Sequence, residues 1–211
     1  RTLLAFRDKS TDTYYAGEID TQKRTHDLSP IGSRTKIKEW LRQHEQELLE
    51  IIPTYDFRFE PANDVFFDPE RRFINRYVPP AYQLNAVAQE GAEIPPGIKR
   101  LIEHVLGNDG TTVEHFLNWL AVVFRYRART ETAWILQGTT GTGKGLLFRE
   151  ILRPLMGTQH SREVTLSNLA DQFNAFLEEA VVLFVDEADT DQIKSSSSLI
   201  ARVKTLITED K

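Results

Sequence analysis

Gly138-Thr139-Thr140-Gly141-Thr142-Gly143-Lys144 carries the clearest chemistry in the chain, because its glycine spacing and closing lysine fit a phosphate-binding loop. Glycines at these positions let the backbone curl until successive N–H groups face phosphate oxygens, and Lys144 then reaches the β and γ phosphates. A threonine- and glycine-rich turn is common enough by itself, so its setting matters. Here it stands between the apolar run Thr132-Ala133-Trp134-Ile135-Leu136-Gln137, expected as a buried strand, and a helix expected from Lys144 to about Leu155. Further on, Val181-Val182-Leu183-Phe184-Val185 is an apolar strand that delivers Asp186 and Glu187 at its end. In a Walker-type pair the two carboxylates divide the work: Asp186 holds Mg²⁺, usually through water, and Glu187 polarises the attacking water. The expected ligands are therefore ATP and Mg²⁺, bound over Gly138 to Gly145, with Lys144 and Glu187 as the catalytic groups. One position departs from the pattern. Gly145 stands where the loop usually has a Ser or Thr on the metal, so either water takes that place or the metal is held more weakly.

From Leu3 to Ile19 two apolar runs flank a polar turn and suggest a hairpin. Ile37, Trp40, Leu41, Leu48, Leu49 and Ile52 recur at helical spacing between Ser33 and Pro53. Tyr55, Phe57 and Phe59 alternate like a half-buried strand, and Val65-Phe66-Phe67-Asp68-Pro69 reads as another short strand. The stretch from Asn75 to Pro96 is an extended connector with at most one short element. Pro96 opens a helix over Ile98, Leu101, Ile102 and Val105, which ends at Gly107. A second follows at once, with Thr111 and Glu114 as a capping box and Val113, Phe116, Leu117, Leu120 and Phe124 on the buried face. After Val164-Thr165-Leu166, a helix over Leu169, Phe173, Phe176 and Leu177 leads to the acidic strand. The expected fold is α/β, a P-loop NTPase core preceded by a helical pair and a small α+β domain. The expected boundaries are 1–80, 96–130 and 131–211.

Composition narrows the partners. No stretch approaches the roughly 20 apolar residues needed to span a bilayer, and the start from Arg1 lacks the apolar region of a signal peptide, so the expectation is a cytoplasmic protein with no membrane partner. The absence of cysteine removes disulfides, thiolate zinc sites and a cysteine nucleophile together. With 26 Lys+Arg against 31 Asp+Glu the formal charge is −5, so any DNA contact must be local. The chain begins with Arg rather than Met and stops at Lys211, and it reads as a fragment.

The helical pair before the loop and the short gap between the two Walker motifs resemble superfamily 3 helicases of the AAA+ class, in particular the phage and prophage primase-helicases. The resembling segments are Phe73-Ile74-Asn75-Arg76-Tyr77-Val78-Pro79-Pro80, His115-Phe116-Leu117-Asn118-Trp119-Leu120-Ala121, the loop with its Gly-Lys-Gly ending, Phe173-Asn174, Asp186-Glu187 and Val203-Lys204-Thr205-Leu206-Ile207-Thr208. That resemblance implies an AAA+ core that is incomplete at its C-terminus, and an ATP-driven 3′ to 5′ DNA helicase module of a phage replication protein, working as a homo-hexameric ring on single-stranded or forked DNA, with a primase domain in the same polypeptide. It makes Gly145 a family trait, and it makes Lys204 and Lys211 candidate DNA contacts, against which an ordinary solvated lysine weighs equally. Arg125, Arg127 and Arg129 raise the same question at a helix end. Two other functions remain open on the Walker motifs alone: a P-loop ATPase that remodels protein or loads a factor onto DNA, and a nucleotide-binding oligomerisation module without turnover.

Overall fold

The computed structural model describes residues 1–47, 49–84, 91–128, 130–165, 169, 179–186 and 197–208. The architecture is mixed α/β and divides into two compact units, Arg1–Leu84 and Asn85–Lys211.

The first unit is built on a six-stranded sheet. Strands β1 (Thr2–Asp8), β2 (Tyr14–Asp20) and β3 (Thr25–Pro30) form an antiparallel meander, α1 (Arg34–Gln43) crosses over, and β4 (Thr54–Arg58) returns parallel to β1. Two short strands complete it, β5 (Phe67–Asp68) and β6 (Phe73–Asn75), giving the order β3-β2-β1-β4-β6-β5. Alternation along β1 supplies both faces: Ala5 packs with Ala16, Ile37 and Leu41 beneath α1, while Phe6 on the other face packs with Tyr55, Phe57 and Ile74. The β1–β2 hairpin matches the sequence expectation; β3 carries too few apolar residues to have announced itself. Helix α1 is shorter than its periodicity predicts. Ser33 caps its start by accepting from the Lys36 N–H, but Glu45 turns to φ 54° and the Gln46 N–H closes onto the Leu41 carbonyl at 2.9 Å. Leu49 and Ile52 nevertheless pack on the same cluster, from beyond the helix. Apolar spacing records a shared core face, and an irregular chain can serve that face as well as a helix. Val65 likewise lies outside β5 and is exposed. A short helix, α2 (Ala81–Leu84), ends this unit.

In the second unit, α3 (Pro96–Val105) and α4 (Gly110–Tyr126) contribute Ile102, Phe116, Leu120 and Val123 to one buried cluster with Leu147 and Met156. Pro96 occupies the first turn of α3, where a missing N–H costs nothing. The capping box expected at Thr111 is not formed. Asp109 is the N-cap of α4 and accepts from the Thr112 N–H at 3.0 Å, a charged acceptor placed so that the helix starts earlier. The run 132–137 is not a buried strand either: it has no ladder partner among the described residues. Trp134 and Leu136 turn into the core while Ile135 is 88% exposed. Beyond the loop the chain is helical from Lys144 to Met156, as α5 (Lys144–Leu146), a π-helical segment (Leu147–Leu152) and α6 (Arg153–Met156). Strands β7 (Ser161–Thr165) and β8 (Val182–Asp186) pair in parallel, from Ser161 opposite Val182 to Thr165 opposite Asp186. Helix α7 (Ser197–Thr208) follows. Leu169 is fully buried; the helix expected over Phe173, Phe176 and Leu177 falls outside the described residues. No helix among the described residues is long and apolar enough to cross a membrane.

Candidate functional site: the loop 138–145 and the Arg149 bridge

Two glycines shape the loop. Gly141 and Gly143 take φ values of 85° and 84°, left-handed conformations that only glycine enters without strain. Gly143 is also confined, since a Cβ there would lie 3.0 Å from Leu101 Cδ1 of α3, so the loop is held against the helical pair. Inside the curl, the Thr142 hydroxyl donates to the Thr139 carbonyl at 3.0 Å. The Lys144 ammonium is folded back into the same space, donating to the Gly138 carbonyl at 3.0 Å, the Thr139 carbonyl at 2.9 Å and Thr142 Oγ1 at 3.0 Å. Three neutral oxygens thus satisfy the three ammonium donors, and anionic oxygens entering the loop would make stronger, charge-assisted partners. Thr140 lies exposed at the loop's tip.

The residue that sequence motifs missed is Arg149. It projects from the π-helical segment to the middle of β7 and the end of β8. Its Nε donates to Glu163 Oε1 and Oε2 at 3.1 and 3.0 Å, its Nη2 donates to Glu163 Oε1, and the same Nη2 reaches Asp186 Oδ2 at 3.4 Å. Hydrogen bonding to Glu163 and the charges of Glu163 and Asp186 push the guanidinium pKa up. In return the hydrogen bond and charge of Arg149 hold the Glu163 carboxyl below the usual glutamate value, against a smaller opposing effect of burial. The guanidinium also lies against Gly145, where a Cβ would meet Nη1 at 3.1 Å. The sequence signal was present only as an oddity, the side-chain-free residue at 145.

Of the expected site residues, the structure gathers Gly138 to Gly145, Lys144 and Asp186 within the second unit. Glu187 and Lys211 fall outside the described residues, as does Arg129. Lys204 is exposed on α7, its carbonyl accepting from Thr208 at 3.0 Å. Arg125 is exposed and lies over the Tyr126 ring, and Arg127 forms the left-handed C-cap of α4. The groups expected to hold Mg²⁺ do not fit that ion as they stand. Gly145 offers no side-chain oxygen, the Asp186 carboxylate faces a guanidinium, and among the described residues no three carboxylate or imidazole groups converge.

Comparison with known proteins places these features in context. Residues 136–211 match the model of a family of unknown function, DUF5906. The chain is 33% identical over 161 residues to the DNA primase-polymerase of Nitratiruptor phage NrS-1, across 75% of this chain and 22% of that protein. An apo structure of the NrS-1 C-terminal region superposes with a TM-score of 0.77 at 26% identity, over 98% of this chain and 48% of that one. A second, the A form of the same region, shares the fold with a TM-score of 0.76 at 24% identity. The chain therefore spans less than a quarter of the curated relative and about half of the solved region. These similarities overturn the superfamily 3 primase-helicase resemblance and the ATP-driven unwinding it implied. The matched relative is a DNA primase-polymerase, its C-terminal region is the structural neighbour, and the matching family model carries no helicase description. The segments behind the resemblance were a glycine-rich loop, an acidic strand end and amphipathic helix faces, which recur on machines of many kinds.

Proposed function

We propose that this chain is a nucleoside-triphosphate-binding part of a phage-type DNA primase-polymerase, in which the loop from Gly138 to Gly145 holds the phosphate groups. The observation that carries the reading is the placement of Lys144, with its ammonium drawn into the loop by the Gly138 and Thr139 carbonyls and Thr142 Oγ1. A cation poised in a glycine-curled loop is arranged for an anionic ligand of phosphate size. The similarity to the NrS-1 enzyme supplies the wider setting, a DNA primase-polymerase of a phage. ATP is one ligand of this class, and primer synthesis draws on nucleoside triphosphates generally.

In this mechanism Lys144 exchanges its three neutral acceptors for phosphate oxygens, and the loop N–H groups orient the chain of phosphates without themselves reacting. The test is equilibrium binding of fluorescent mant-ATP to the protein and to Lys144→Ala, with thermal melts as a control for folding. Loss of one charge-assisted contact of about 1.5–3 kcal/mol weakens binding at least about tenfold. Equal affinity in the two proteins would remove the loop from nucleotide binding. The wider setting is tested by putting Lys144→Ala into the full-length protein and measuring primer synthesis and extension on a single-stranded template, both expected to fall.

A further inference from the structure

We propose that Arg149 is the built-in cation of the phosphate site, so that this chain binds the phosphates of a nucleoside triphosphate without needing a divalent metal. The inference rests on the nucleotide reading of loop 138–145 and specifies how that site balances charge.

Three observations carry it. First, Gly145 lacks the hydroxyl that a metal-binding loop provides, and a Cβ at 145 would lie 3.1 Å from Arg149 Nη1, so the glycine leaves room for the guanidinium at the residue that follows Lys144. Second, Arg149 contacts the acidic strand end at which a metal would be expected, with Nη2 3.4 Å from Asp186 Oδ2. A guanidinium there neutralises the carboxylate and repels a second cation. Third, the donors are divided. Nε and Nη2 are engaged by Glu163 and Asp186, whereas Nη1, the nitrogen facing Gly145, has no hydrogen-bond partner among the described residues. Glu163 thus holds the planar group on one side and leaves Nη1 turned toward Gly145. Phosphate oxygens suit that nitrogen, because a guanidinium presents fixed, permanently charged N–H groups to them. Glu163 is the positioning residue and Arg149 the group that meets the ligand.

The experiment is mant-ATP binding by the whole chain in EDTA and in MgCl₂, for the wild type, Arg149→Ala and the double variant Gly145→Ser/Arg149→Ala, each with a thermal melt. Wild-type affinity is expected to change by less than about fivefold between EDTA and Mg²⁺, a difference under about 1 kcal/mol. Arg149→Ala is expected to bind at least about tenfold more weakly in EDTA than the wild type. The double variant, with a hydroxyl restored and the competing cation removed, is expected to regain affinity when Mg²⁺ is added. A wild-type affinity that collapses in EDTA overturns the proposal while leaving the nucleotide reading intact. The proposal fails in the same way if Arg149→Ala binds like the wild type in EDTA, or if both variants melt like the wild type and Mg²⁺ restores no affinity to the double variant. Absence of wild-type binding in both buffers defeats the nucleotide reading itself, and this inference with it. The wild-type arm decides even if Arg149→Ala fails to fold.

Discussion

At the scale of single residues, the loop depends on backbone shapes that only some side chains permit. Gly143 combines a φ of 84° with a Leu101 methyl 3.0 Å from where its Cβ would stand. Leu101 can give way by rotation, but the left-handed backbone cannot be relieved locally. Gly143→Ala is therefore expected to lower stability by about 1–2 kcal/mol and to weaken mant-ATP binding as well, because the loop must shift. Denaturant melts and a binding titration on the same protein check both; an unchanged melt would mean that the loop is not held in this conformation. The glycines and Lys144 were legible in the sequence because the motif is contiguous. Arg149 was not, since nothing local links it to Glu163 or to Asp186, and only the parallel register of β7 and β8 brings those carboxylates within its reach.

Single elements show where periodicity informs and where it misleads. The β1–β2 turn closes on Asp8, a fully buried carboxylate that accepts from the Ser10 and Thr11 hydroxyls, the Thr11 N–H and the Phe57 N–H. Burial pushes its pKa up, but the hydrogen bonds together outweigh burial and hold it below 3.8. A carboxyl depressed in the folded state stabilises the fold fully at pH values above its unfolded pKa. That stabilisation is lost as pH falls through the folded value. Asp8→Asn is expected to cost about 1–3 kcal/mol at neutral pH and to flatten the loss of stability below pH 3.8. Urea melts at neutral and acid pH measure this; a variant whose stability parallels the wild type down the acid range would show that Asp8 contributes nothing there. The polar turn between two apolar runs foretold this hairpin. The segment 132–137 went the other way, because its apolar composition cannot reveal whether a neighbouring strand supplies the N–H and C=O partners that define a ladder.

For the whole molecule, the two units carry separate buried clusters with separate reporters. Phe6 sits at the centre of the first unit's aromatic cluster, 5.5 Å from the rings of Tyr55 and Phe57, and Trp40, on α1 of the same unit, packs against the cluster of Ala5, Ala16, Ile37 and Leu41. In the second, Phe116 packs edge-on to Trp134 at 5.2 Å and beside Trp119 at 5.9 Å. Phe6→Ala and Phe116→Ala are each expected to cost about 3–5 kcal/mol in their own unit. In proteins reduced to Trp40 alone, or to Trp119 and Trp134, fluorescence melts follow each unit by its own tryptophans. A Phe116→Ala protein with an unshifted Trp119/Trp134 melt would contradict a core centred on that ring.

The curl of the glycine loop around Lys144, the hairpin and the amphipathic faces of α1, α3 and α4 were legible in the sequence, because each is written within a few residues through spacing, glycine geometry or side-chain polarity. Short motifs of that kind also led to the wrong machine, since a glycine-rich loop and an acidic strand end specify local chemistry and are shared by proteins with different tasks. Tertiary structure alone decided the third strand of the meander, the early end of α1, the Asp109 cap and the bridge from Arg149 to Glu163 and Asp186. These depend on which separated groups meet and on which of several competing hydrogen-bond partners wins, and neither is encoded in the spacing of neighbouring residues.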